Sequence, residues 1–168
     1  MRLLPESYQN FITNRLLELS GILLLLLSCF IFLSLLSFSP LDPSINNLTN
    51  SEISNLGGRI GANISDLLVQ LFGYSSFILT VVLLSWSYKL IFHKYLPLIA
   101  LHAFLLPFFL TSISVLINLL NLSSVNGFIS NEIMISLLDL GLLSTSFNYI
   151  LLLISVFLFT LILLFYSM

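Results

Sequence analysis

Side chains that could do chemistry are few in this sequence of 168 residues, which has two histidines and one cysteine. His102 lies in a long apolar run without a carboxylate at matching depth, so we interpret it as a neutral histidine bonded between helices rather than a proton relay. His93 has no cysteine or carboxylate beside it that would complete a metal site. Cys29 has no second cysteine for a disulfide. We therefore expect no catalytic residue, metal site or cofactor.

The composition explains this scarcity. Hydrophobic residues make up 58% of the chain and charged residues only 7%, whereas a soluble domain is about one quarter charged. Four stretches carry no Asp, Glu, Lys or Arg, and each is long enough to cross a bilayer, which takes roughly 20 apolar residues. This excludes a soluble enzyme, a nucleic-acid-binding domain and a disulfide-rich secreted protein. The charge-free stretches are residues 19–41, 67–88, 95–131 and 140–168.

The elements that hold these side chains are therefore membrane helices. We predict an all-α membrane protein, a bundle of four transmembrane helices forming a single domain over residues 1–168. A short interfacial or re-entrant helix, residues 132–140, is expected before the fourth span, with Asn131 as its N-cap. Pro40, Asp42 and Pro43 form the turn that ends the first span. The predicted spans are residues 18–38, 66–88, 95–120 and 147–166.

Basic residues indicate the orientation of this bundle. With four spans, the N-terminal segment and the loop at residues 89–94 lie on one side, and the opposite side has only Arg59. Because basic residues accumulate on the cytoplasmic side, we predict that both termini are cytoplasmic. The basic residues assigned to the cytoplasmic side are Arg2, Arg15, Lys89 and Lys94.

The segment before the second span is rich in small residues at helical spacing. Such residues allow two membrane helices to approach closely. The helix-packing candidates are Gly57, Gly58, Gly61, Ala62, Ser65 and Gly73. Arg59 and Asp66, seven residues apart, lie on roughly the same helix face near the membrane surface. They are candidates for an interfacial polar pair, although Asp66 could instead cap polar groups of the loop, and both could be plain interfacial polarity.

The order of these motifs resembles the N-terminal membrane domain of FtsK/SpoIIIE-type septal DNA translocases. The resemblance is carried by the turn Ser37-Phe38-Ser39-Pro40-Leu41-Asp42-Pro43-Ser44, the glycine-rich stretch from Asn55 to Leu68, and Leu71-Phe72-Gly73. It covers residues 19–88 well and extends to the whole chain through the number of spans. The second half departs from the family pattern, because the glycine-rich lead before the fourth span is reduced to Asn126-Gly127 and Asp139-Leu140-Gly141.

The resemblance implies a multi-pass anchor in the bacterial inner membrane at the division septum. In that family the anchor contacts the lipid bilayer and other division-septum membrane proteins, and it carries a linker and a hexameric ATP-driven DNA motor. We expect a homo-oligomer in the full-length protein. The chain ends directly after the fourth predicted span, so we expect a fragment or a truncated gene product that lacks the motor and binds neither ATP nor nucleic acid.

Two other functional classes are alternatives to a membrane anchor. A small polytopic transporter or channel subunit would need convergent polar groups along its spans, and the sequence offers only His102, Gln70, Asn118 and scattered Ser and Thr. An intramembrane enzyme would need a nucleophile with a base, which the spans lack. A membrane anchor needs neither, so it is the preferred hypothesis.

Overall fold

The computed structural model describes five α-helices, with no strand in the described part of the chain. The helices are α1 (Glu6–Leu36), α2 (Gly58–Phe72), α3 (Ser76–Tyr88), α4 (Ile99–Leu119) and α5 (Phe128–Asp139). The residues described are 5–49, 51–93, 96, 99–120, 125, 127–139, 141 and 156.

Helix α1 extends well beyond the apolar run that predicts the first span. It begins at Glu6, after Pro5, whose fixed φ suits a helix start. The guanidinium of Arg15 lies 2.5 Å from the carboxylate of Glu18, an i,i+3 ion pair on the helix surface. These charged residues continue the helix outside the apolar run. At the other end Ser37 caps the helix, and Pro40 and Pro43 prevent its continuation.

The second apolar segment is interrupted at Gly73. Its φ of 60° lies in the left-handed region that favours glycine, and it ends α2. A 3₁₀ turn over Gly73–Ser75 leads into α3, and a π-helical turn over Lys89–His93 follows α3. The predicted second span, residues 66–88, therefore begins inside one helix and ends with another.

Three helical segments in the described part of the chain are long and apolar enough to cross a membrane: Ser7–Leu36, Gly58–His93 and Ile99–Leu119. They overlap the first three predicted spans. The fourth predicted span, residues 147–166, lies outside the described residues apart from Val156.

Helix α5 corresponds to the short helix expected before the fourth span, but the expected cap is wrong. The helix begins at Phe128, and Asn131 lies in its first turn, where its N–H donates to the carbonyl of Gly127 at 3.1 Å. Gly127 sits directly against the backbone of Leu71 and Phe72, where any Cβ would overlap. This close approach fixes the start of α5 against the end of α2.

The core lies between α1 and α3. Ile31 and Leu35 of α1 pack with Leu83 and Trp86 of α3. Serine hydroxyls join the helices as well, because an unpaired hydroxyl in a membrane interior is costly. Ser28 donates to the carbonyl of Thr80 at 2.8 Å, Ser87 donates to that of Gly21 at 2.8 Å, and Ser75 donates to that of Leu110 on α4 at 3.0 Å.

Candidate functional site

The richest polar arrangement in the described residues lies where the loop of residues 37–57 meets α1 and α2. Asp42 is the anionic centre of this loop and is only 4% exposed. One carboxylate oxygen accepts from the backbone N–H of Ser54 at 2.9 Å and from its hydroxyl at 2.7 Å. The other accepts from the backbone N–H of Asn55 at 2.9 Å. The turn at Pro40–Pro43 thus holds the later part of the loop, at Ser54 and Asn55, where the chain leads back to α2.

These hydrogen bonds set the ionisation of Asp42. Burial of the carboxyl group acts to raise its pKa, but the three donors from Ser54 and Asn55 stabilise the charged form more strongly. The pKa of Asp42 is consequently lowered from its ordinary value. The folded loop therefore favours the ionised form of Asp42.

Asn55 connects the loop to both helices and is 5% exposed. Its side-chain amide donates to the carbonyl of Ser34 in α1 at 2.8 Å and to the hydroxyl of Ser65 in α2 at 3.2 Å. Its side-chain oxygen accepts from the backbone N–H of Gly57 at 2.9 Å. We call these residues the polar cluster, which comprises the hydrogen-bonded Ser34, Asp42, Ser54, Asn55, Gly57 and Ser65, together with Gly61, which lies against Asn55 and Ser34.

The small-residue row of α2 meets the polar cluster at its first turn. A Cβ added at Gly57 or Gly61 would lie 2.6 Å or 2.7 Å from the hydroxyl of Ser34, closer than atoms of this kind can approach. Ala62 and Ser65 are buried on the same side of α2. Gly58 differs, since it is exposed and a Cβ there would meet nothing within 4 Å; its φ of 61° serves the turn into α2.

Arg59 and Asp66 have separate surroundings. Asp66 accepts from the hydroxyl of Ser44 at 2.5 Å and from the side-chain amide of Gln70 at 2.9 Å. Arg59 is exposed, and no ion pair joins it to Asp66 within the described residues. The carboxylate of Asp66 therefore contacts the loop through Ser44.

The remaining chemistry-bearing residues stand apart from the polar cluster. His102 is buried in α4, with its ring centroid 6.5 Å from that of Trp86 in α3. Cys29 is exposed on α1. In the part of the chain that the structure describes, His, Cys, Asp and Glu form no group of three that could hold a metal ion.

Sequence reasoning missed Asn55 as the centre of the polar cluster. Its partners Ser34 and Ser65 are respectively 21 and 10 residues away along the chain, so no local spacing reveals them. The available signal was the serines inside the apolar helices, such as Ser28, Ser34 and Ser87. A hydroxyl in such a position needs a partner.

Comparison with known proteins gives the chain its family. Residues 13–168 match the family described as the 4TM region of DNA translocase FtsK/SpoIIIE. The match spans nearly the whole chain, including the part of the second half that departs from the expected glycine pattern. This chain therefore belongs to that family, as its resemblance predicted.

Individual relatives agree. The chain is 33% identical over 86 residues to the DNA translocase FtsK of Azospirillum brasilense, which is 50% of this chain and 14% of that protein. It is 40% identical over 78 residues to the DNA translocase FtsK of Vibrio vulnificus, which is 45% of this chain and 8% of that protein. The chain thus spans only a small part of the length of the curated relatives it matches. No solved structure matches.

Proposed function

We propose that this member of the FtsK/SpoIIIE 4TM family, as a single domain over residues 1–168, is the membrane anchor of a septal DNA translocase that acts in cell division and chromosome segregation. The observation that carries the proposal is the match of residues 13–168 to the family's membrane region. The relatives are named for a DNA translocase, and the chain covers 8–14% of the length of the two described above. On this proposal the DNA motor is formed by a different part of the translocase. Residues 1–168 themselves hydrolyse no ATP and bind no DNA.

The proposed anchor crosses the bacterial inner membrane four times, with residues 147–166 as its last span. Both termini are cytoplasmic and the loop of residues 37–57 is on the outer side. The distribution of basic residues supports this orientation, since Arg15 lies in the half of α1 away from that loop and Lys89 directly follows the end of α3 away from it.

The use of polar groups inside the described helices supports an anchor more than a transporter. The hydroxyls of Ser28, Ser75 and Ser87 donate to carbonyls of neighbouring helices. Groups engaged in this way stabilise helix packing and are not presented to a passing solute. We propose that the partners are the bilayer, other septal membrane proteins and, in the full-length protein, further copies of itself.

A fluorescent fusion tests the septal role. Expressed at low level in dividing cells of its host, the full chain with a cytoplasmic fluorescent tag should be enriched at midcell. The matched control is a membrane protein of equal span number without a division role, which should label the envelope evenly. An even envelope signal from the chain itself contradicts the proposal.

A second experiment tests the orientation. A periplasm-active reporter inserted after Leu48, which is almost fully exposed in the loop, should be active, and the same reporter after His93 should be inactive. Activity of the His93 insertion together with inactivity of the Leu48 insertion would overturn the proposed topology.

A further inference from the structure

Two hydrogen bonds between α1 and α3 allow positions along the axis of the bundle to be compared. Ser28 of α1 bonds the carbonyl of Thr80 in α3, and Ser87 of α3 bonds the carbonyl of Gly21 in α1. The two bonds are separated by the same number of residues along both helices. Helices α1 and α3 therefore run side by side in opposite directions, and positions along one can be compared with positions along the other.

Along this axis the two ends of α2 are at nearly the same height. Ser34, which touches Gly61, lies six residues beyond Ser28, or about 9 Å along α1. Gly73, at the other end of α2, lies seven residues before Thr80, or about 12 Å along the first turn of α3 and the 3₁₀ turn that precedes it. Helix α2 has 15 residues and is about 22 Å long. A helix of that length with both ends at one height lies across the bundle axis.

The sides of α2 differ in the way expected of a helix lying at a membrane surface. Arg59, Asn63, Asp66 and Gln70 share one flank at helical spacing. The loop contacts this flank beyond Arg59, which is exposed: Asp66 bonds Ser44. In addition, the side-chain oxygen of Asn63 accepts from the backbone N–H of Ile45 at 3.0 Å, and that of Gln70 accepts from the side-chain amide of Asn46 at 2.9 Å.

The neighbouring flank is apolar and partly unpartnered. Ile60 and Leu67 are 68% and 52% exposed, and Leu71 lies on the same flank. At the same height, Leu33 and Leu36 in the last turn of α1 are also exposed apolar side chains. The apolar flank of α2 and these side chains of α1 thus both expose apolar surface at one height, as side chains that face lipid do.

We infer that α2 is an interfacial helix that lies in the plane of the leaflet at the loop end of the bundle. Ile60, Leu67 and Leu71 reach into the acyl chains, and Arg59 is placed to meet lipid phosphates. The crossing itself is made by α3 and the π-helical turn, Ser76–His93, about 27 Å long and close to the hydrocarbon thickness. One upright helix over Gly58–His93 would be about 54 Å long and far exceed it.

The depth of each α2 residue in the membrane distinguishes an interfacial helix from an upright one. An interfacial helix gives a depth that rises and falls with a period of 3.6 residues, whereas an upright helix gives a depth that changes steadily. The measurement is made on the full chain in vesicles of phosphatidylethanolamine and phosphatidylglycerol. In a Cys29→Ser background, single cysteines replace residues 59, 60, 63, 67, 70 and 71 in turn and carry a nitroxide label.

Collisions with oxygen and with a water-soluble nickel complex report the depth of each label. We expect labels at 60, 67 and 71 to favour oxygen by at least fivefold over those at 59, 63 and 70, which serve as matched controls on the same helix. A steady change of depth from 59 to 71 would overturn the inference. So would immobile labels at 60 and 67 shielded from both reagents, because protein would then cover this flank.

A second measurement uses the fluorescence of a single tryptophan, whose side chain is closer in size to the native ones than a nitroxide label is. In a Trp86→Phe background, Leu67→Trp should be quenched by lipids brominated near the headgroup more than by lipids brominated deep in the chain. Gln70→Trp should be quenched little by either lipid. Equal quenching of the two tryptophans would contradict the interfacial position, and a circular dichroism spectrum would confirm that both variants fold.

Discussion

The two ends of the helix bundle are held together in different ways. At the loop end, Asp42 and Asn55 make several side-chain hydrogen bonds each and join α1, α2 and the loop. Toward the other end, α1 and α3 are joined by single serine-to-carbonyl bonds, such as that from Ser87 to Gly21.

This difference predicts different sensitivity to substitution. A network with one central side chain loses several bonds when that side chain is changed, and buried partners are then left without hydrogen bonds. Separate serine bonds are lost one at a time, and each is worth little in a membrane because the unfolded reference state also finds partners. The loop end should therefore respond strongly to single changes, and the opposite end weakly.

The largest effect is expected for Gly61→Leu. A Cβ at this position already lies too close to the side chains of Asn55 and Ser34, so a leucine displaces both and disrupts the polar cluster. We expect a loss of about 3 kcal/mol in the free energy of unfolding, measured by denaturant titration in detergent. Ile60→Phe is the control, since it adds volume one residue away at an exposed site. Equal stability of Gly61→Leu and wild type would contradict the close packing.

A somewhat smaller effect is expected for Asn55→Leu. The variant leaves the carbonyl of Ser34 and the N–H of Gly57 without their bonds to this side chain. The expected loss is about 2 kcal/mol, with faster proteolysis of the loop. Asn46→Leu, which removes one exposed hydrogen bond from the same loop to Gln70, should stay within about 0.5 kcal/mol of wild type. If both asparagine variants behave alike, Asn55 is not the centre of the network.

The pH dependence of the loop end should follow Asp42. Because its pKa is lowered in the folded chain, its contribution to stability is present above the ordinary aspartate pKa and is lost as the pH falls through the lowered value. Asp42→Asn should cost about 1.5 kcal/mol at neutral pH and should weaken the loss of stability in acid. Glu52→Gln, at an exposed acid of the same loop, should change neither. Unfolding midpoints between neutral and acidic pH provide the measurement.

The smallest effect is expected at the end of the bundle away from the loop. Ser87→Ala removes one hydroxyl bond to the carbonyl of Gly21 and should cost only about 0.6 kcal/mol. Ser85→Ala, whose hydroxyl bonds its own helix at an exposed position, is the control and should cost less. A loss at Ser87 as large as that at Asn55 would remove the distinction between the two ends.

The sequence predicted the apolar helices better than their ends. Charge-free runs locate α1 and α4, because hydropathy alone decides which segments enter lipid. The start of α1 at Glu6 was missed, since Arg15 and Glu18 interrupt the apolar run while favouring the helix through their ion pair. The break at Gly73 was missed for a different reason: in sequence it fits the row of small residues, and only its backbone conformation ends α2.

The candidate site was predicted in part. The turn at Asp42 and the small residues of α2 are local patterns, which can be located in the sequence alone. The partners of Asn55, and the contact of Gly127 with Leu71, depend on how distant segments pack. The same packing places Asp66 against Ser44 and leaves Arg59 apart.

The polar cluster has a consequence for the order of events during synthesis. All of its members lie between Ser34 and Ser65, a short stretch of chain that leaves the ribosome before α3 and α4. Contacts between residues close in sequence form quickly. Cotranslational insertion can therefore deliver α1, the loop and α2 as one assembled unit, onto which the later helices pack as they enter the bilayer.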